Sequence, residues 1–203
     1  MKINSRAAGA PKSRGGEEIS TDRVPLSISR GEMLIDRSDR EFRRLIHRML
    51  ITASRLEAIR EAIALRIGVT GTQYTMLMSI LHQQKGDGIA ISALADYLEV
   101  SGPHVTVEIG KLAMRDLVRK AANPRDKRGV LISLTPQGRE RLLGAFNFIR
   151  AINDRLFDGV TSVEYAALRR FNEKFVGNTK ATLDWVDAAS KTRAKSSITR
   201  IAL

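Results

Sequence analysis

This sequence predicts a mainly α-helical fold with a small β-hairpin wing, and three observations carry that reading. The run Asn123-Pro124-Arg125-Asp126-Lys127-Arg128-Gly129 is a turn loaded with cations that leads straight into the apolar stretch Val130–Leu134, and Thr135-Pro136 opens a helix at once. Upstream lie a short helix, a tight break at Ser101-Gly102-Pro103 and a second helix. Long helical periodicities precede and follow this middle segment. Two helices followed by a basic hairpin make a winged helix-turn-helix. The flanking helices carry more apolar face than one small module can cover, which points to N- and C-terminal dimerisation helices.

Taken in order, residues 1–37 are rich in Gly, Ser, Arg and Pro with little periodicity, and are expected to form a disordered basic arm. From 38 to 68, Phe42, Leu45, Ile46, Met49, Ala53, Leu56, Ile59, Ile63 and Ile67 recur at three- and four-residue steps, with Ser38 as N-cap and Gly68 as stop. Thr70 or Thr72 caps a second helix from about Gln73 to Gln84. Ile89–Ile91 reads as a short strand, after which Ser92 caps the helix bearing Leu94, Ala95 and Leu98. Ser101 caps the next, with Pro103 in its first turn, where a missing N–H does no harm, and with Val105, Ile109 and Leu112 as its inward stripe. Leu117–Lys120 and Val130–Leu134 are the wing strands, closing a DNA-binding module over 69–135. Thr135 caps a helix running to about Phe157, and Thr161 with Glu164 forms a capping box for a last helix over 161–188. Residues 189–203 read as a basic tail.

The formal charge is +12 over 203 residues. From Lys111 to Arg141 nine Lys/Arg face three acids, a net of +6 in about a sixth of the chain. Clustered cations gain affinity for polyanions by releasing counterions. With no cysteine, disulfides and thiolate metal sites are excluded. Neither an apolar run of membrane-span length nor a secretory leader is evident, so the expected location is the cytoplasm, with no membrane partner. The three histidines, His47, His82 and His104, fall on different elements, with no phosphate-binding glycine loop or HExxH run beside them. No nucleophile, base and orienter come within reach of one another, so neither an enzyme nor a cofactor or metal site is expected.

Three stretches resemble the MarR family of bacterial winged-helix regulators: Val69-Thr70-Gly71-Thr72-Gln73-Tyr74-Thr75-Met76-Leu77; Ile91–Ala95 through Ser101, Val105 and Leu112 to Arg119; and Asn123–Arg128 leading to Leu134-Thr135-Pro136-Gln137-Gly138. The resemblance spans about 39–188. It implies a homodimer reading a palindromic operator in double-stranded DNA, acting as a repressor and released by a small, often phenolic, aromatic effector. The chain departs from the family at Asn123, where Asp is common, and at Val107, where a cation or polar side chain is common. Sequence preference should shift accordingly.

On this reading the helix from Ser101 to Asp116 enters the major groove. Ser101, Gly102 and Pro103 form its DNA-facing first turn, where free N–H groups favour a phosphate. His104, Thr106 and Val107 are candidates for base edges, with Val107 against a thymine methyl, and Lys111 for a phosphate. Arg125, Lys127 and Arg128 belong to the wing, and by resemblance Arg128 enters the minor groove. Asp126 would be repelled by phosphate and is read as fixing the wing by pairing with Arg128 or Arg115. By resemblance, an effector pocket would be faced by His47, Ile51, Arg55, Tyr74 and Met78. The rival reading is a non-specific architectural or RNA-binding winged-helix module without ligand response.

Overall fold

The computed structural model describes residues 24–84, 86, 88–124 and 126–201, with 127, 128 and 192–201 described by backbone alone. It divides into two compact units, one through Ile59 and one from Arg60.

In the first unit the chain leading into helix α1 (Arg40–Ile67) is folded where the sequence suggests none. A 3-10 turn spans Gly31–Met33, and Ile35 bridges Ser38 around Asp36 and Arg37, both in the left-handed region at φ 51° and 59°. Asp39 is the clamp. Its Oδ2 accepts from the Ser27 amide at 2.7 Å and the Ser27 hydroxyl at 2.5 Å, and its Oδ1 accepts from Arg43 Nη1. The Ser27 bonds hold the Asp39 carboxyl below the usual carboxylate range, with Arg43 adding to the effect. Of the arm expected over 1–37, residues 1–23 lie outside the described residues, and from Ser27 on the chain is held by one buried carboxylate that collects donors from both sides of the turn. Composition gave no sign of this.

The second unit holds the winged module. Ile63, Ala64 and Ile67 of α1 are buried, and Gly68 at φ 78° ends the helix. Thr70 and Gln73 form a capping box on α2 (Gly71–Gln83). Strand β1 (Ile89–Ala90) leads into α3 (Ile91–Leu98), capped by Ala90 without a side-chain bond, so the cap expected of Ser92 is not made. Ser101 caps α4 (Gly102–Met114), accepting from the His104 amide at 3.4 Å. Strands β2 (Val118–Asn123) and β3 (Asp126–Leu134) are longer than expected, because Ala121, Ala122 and Asn123 pair with Leu131, Val130 and Asp126, with a register shift between Ala122 and Asn123. The antiparallel sheet runs β1-β3-β2, with Val118 opposite Leu134 and Asn123 opposite Asp126. Thr135 caps α5 (Pro136–Leu156), and the Thr161–Glu164 box precedes α6 (Ser162–Ile201). Helix α6 thus continues through the expected tail from 189 as far as Ile201, and residues 202 and 203 lie outside the described residues. Ala188, Ala189, Lys191, Arg193, Ala194 and Lys195 are strong helix formers, and neither Gly nor Pro interrupts them.

The core is shared by all the module's elements. Met76, Leu77, Ile80, Leu94, Val105, Ile109, Leu112, Leu117, Ile132 and Leu142 are essentially fully buried. This apolar seat fixes α4 and the wing relative to each other. Among the described residues no helix is long and apolar enough to cross a membrane.

Candidate nucleic-acid interface

Helix α4 is split cleanly along its length. Val105, Glu108, Ile109 and Leu112 point into the core, while His104, Thr106, Val107 and Lys111 are exposed. Val107 is 56% exposed, a large apolar side chain presented to solvent at the centre of this face. The Thr106 hydroxyl donates to the Gly102 carbonyl at 2.9 Å, which leaves its oxygen lone pairs facing outward as acceptors. Ser101 and Pro103 are exposed and Gly102 half-buried, so the first turn is open to an anion.

The wing packs against α4 through β2. Lys127 and Arg128 lie on β3, while Arg125 falls outside the described residues. Gly129 leaves room here. A Cβ at this position would sit 3.2 Å from both Asn123 Nδ2 and Asp126 Oδ2, so the two side chains converge over the glycine and close the hairpin. Arg119 Nε donates across the ladder to Ser133 Oγ at 2.8 Å, bracing β2 on β3. Arg115, expected at the wing, reaches another way. Its Nη2 donates to the Gly68 carbonyl and ties the end of α4 to the end of α1. The reason lies in the backbone: Gly68 turns left-handed and turns its carbonyl towards α4.

Two buried polar residues escaped the sequence reading. Glu108 accepts from Gln73 Nε2 at 3.0 Å and from Lys111 Nζ at 2.5 Å. The Lys111 bond and, after it, the Gln73 bond hold the Glu108 carboxyl below the usual range in spite of burial. A carboxylate in the inward stripe of an amphipathic helix was the available signal.

Of the residues expected to face an effector, His47, Ile51 and Arg55 are exposed on α1 in the first unit. Tyr74 and Met78 are half-buried on α2 in the second, where burial raises the Tyr74 phenol pKa. The second unit also holds a cavity of about 160 Å³ lined by Arg60, Thr72, Thr75, Met76, Val100 and His104, among others; neither Tyr74 nor Met78 lines it. Arg60 Nη1 donates to Thr75 Oγ1 at 3.3 Å at this cavity.

The MarR family model matches residues 67–129, from the end of α1 through the hairpin turn. That segment is similar to the MarR family. About two thirds of the chain has the winged-helix fold of solved MarR-type structures. A cysteine-to-serine mutant of MarR from E. coli, solved in complex with operator DNA, superposes with a TM-score of 0.56 at 25% identity, covering 65% of this chain and 91% of that one. A MarR/EmrR family regulator from Acinetobacter sp. ADP1 gives 0.58 at 18% identity, covering 68% and 96%. The transcriptional regulator SlyA gives 0.58 at 17%, covering 70% and 98%. No curated protein matches the sequence. The MarR-like part therefore accounts for about two thirds of the chain.

Proposed function

We propose that this chain is a sequence-specific double-stranded DNA-binding transcriptional regulator, a homodimeric repressor rather than an enzyme, reading a palindromic operator with α4 in the major groove and the wing on the flanking backbone. The observation that carries this reading is the split of α4. A tightly seated apolar stripe anchors the helix, and His104, Thr106 and Val107 stand clear of the protein beside a cationic hairpin. The solved complex of the E. coli relative with operator DNA supports the same partner. In the major groove each base pair presents a distinct edge, and an exposed valine selects for a thymine methyl.

The dimer rests on apolar surface that one copy leaves open. On α6, Leu168, Phe171, Val176, Leu183 and Val186 are all more than two fifths exposed. Such a face in a soluble protein marks an interface. Release by a small aromatic effector is supported by the cavity at Arg60 and His104, where a bound acid would touch the first turn of the DNA-reading helix. An effector acts only by binding one state better than the other.

Affinity selection of random duplexes by the full chain tests the reading. A palindromic consensus is expected, with RNA and mixed-sequence duplex competing poorly. An architectural protein would yield no consensus, and an RNA binder would prefer A-form or single-stranded competitors.

A further inference from the structure

Lys111 is the one Lys or Arg in α4, and it is not simply displayed to solvent. Its ammonium bonds Oε1 of Glu108, one turn earlier, while its side chain remains half exposed on the rim of the DNA-facing side. Glu108 is itself almost wholly buried, 9% exposed, between Val105 and Ile109, so its charge needs fixed partners. The second partner, Gln73, is also buried and has little freedom. Its side-chain oxygen accepts from the Thr70 backbone amide at 3.3 Å while its backbone amide donates to Thr70 Oγ1 at 3.2 Å. A continuous set of bonds therefore runs from the cap of α2 through Gln73 and Glu108 to Lys111.

Resting on the DNA-binding reading above, we propose that Glu108 is a specificity-determining positioning residue: it holds the Lys111 ammonium back from sequence-independent phosphate contact, and through Gln73 it locks α4 in its reading position. A lysine neutralised by a buried carboxylate releases few counterions on approaching DNA, so α4 contributes shape and base contacts while the wing supplies the charge. Freed, the same lysine would add a phosphate contact on any sequence.

The test compares the wild-type full chain with Glu108→Gln, Lys111→Gln and the double variant, by fluorescence anisotropy on a labelled mixed-sequence duplex across a sodium chloride series. Glutamine at 108 can still accept from Gln73, so the seat of α4 is kept. Glu108→Gln should steepen the log–log salt slope by about 0.9, so that its gain in affinity is about 3-fold larger at roughly 50 mM than at roughly 200 mM salt. Lys111→Gln should leave the wild-type slope unchanged, and the double variant should return to it. On a duplex chosen by the wild-type protein, Glu108→Gln should show a lower ratio of specific to mixed-sequence affinity. The proposal is overturned if the slope of Glu108→Gln does not move, or if the steeper slope survives in the double variant, which would mean simple loss of a negative charge. It is also overturned if Lys111→Gln alone flattens the slope by about 0.9, since Lys111 would then already sit on phosphate. That last arm is read on its own and can overturn the proposal even if Glu108→Gln does not fold. A wild-type chain that binds no duplex would end the DNA-binding reading and this proposal with it; a wild-type chain that binds beside unmoved variants ends this proposal alone.

Discussion

Two glycines of α5 should respond to alanine in opposite senses. A Cβ at Gly138 would lie 2.0 Å from the Leu117 carbonyl oxygen and 2.8 Å from its carbon, both backbone atoms. Reaching an ordinary carbon–oxygen contact requires the two segments to part by about 1.3 Å. That movement falls on a dense junction. The Thr135 amide donates to the same Leu117 carbonyl at 3.2 Å, Thr135 Oγ1 donates to the Asp116 carbonyl at 2.6 Å, and Thr135 Oγ1 accepts the capping bond from the Gly138 amide at 2.9 Å. One backbone hydrogen bond is worth about 1 kcal/mol, a cap about 1, and overpacking costs about 1–3, so Gly138→Ala should cost about 3 kcal/mol net of the better helix propensity of alanine. In a domain of this size that lowers Tm by about 6–12 °C. Gly144 lies mid-helix, exposed, with nothing within 4 Å of its Cβ position. Gly144→Ala should add about 0.5–1 kcal/mol and raise Tm by roughly 1–4 °C. Thermal melts of the full chain by circular dichroism give both numbers. Equal stability of the two variants would refute the close approach of α5 to Leu117, and with it the account of how the base of the wing is held.

The other expectations concern the wing and the segment before α1. Arg128→Ala should cost about 1–3 kcal/mol of DNA affinity and reduce the salt slope, read by anisotropy titration; an unchanged affinity and slope would remove Arg128 from the interface. Asp126→Ala should weaken DNA binding although it removes a negative charge, because Asp126 and Asn123 close the hairpin over Gly129; tighter binding in the same titration would refute that role. The clamp at Asp39 has a definite pH sign. Its carboxyl is lowered in the folded chain, so its contribution is complete above the ordinary carboxylate value of about 3.9 and is lost as pH falls through the lower folded value. Amide exchange at Ser27 should accelerate on acidification in the wild type and should be fast and pH-insensitive, after correction for intrinsic rates, in Asp39→Ala.

Much of the fold could be read from local chemistry. The Thr161–Glu164 and Thr70–Gln73 boxes, the Ser101 and Thr135 caps and the prolines behind them each act within one turn, so a short window of sequence holds the whole cause. The same holds for the outward face of α4, where three- and four-residue spacing alone separates His104, Thr106 and Val107 from the core. What was missed depends on partners distant in sequence or on competing local signals. Ser27 and Asp39 are twelve residues apart, and Glu108 and Gln73 thirty-five, so neither bond shows in a local pattern. Glu108 interrupts an apolar stripe, and that misfit was the one visible trace of its role. Arg115 has the charge to pair with Asp126, whereas a backbone carbonyl at Gly68 is the acceptor it reaches. At α3 the serine looked like a better cap than Ala90, but the helix starts at Ile91, where β1 ends.

We propose that two copies of α4 and its wing are held side by side to meet successive major grooves of one duplex. The most direct measurement is the affinity of the full chain for its selected palindrome before and after about half a helical turn, roughly 5 bp, is inserted between the half-sites. Paired modules set about 34–36 Å apart require the inserted duplex to fall to the affinity of mixed-sequence DNA at the same salt concentration. Undiminished binding after the insertion would contradict the claim.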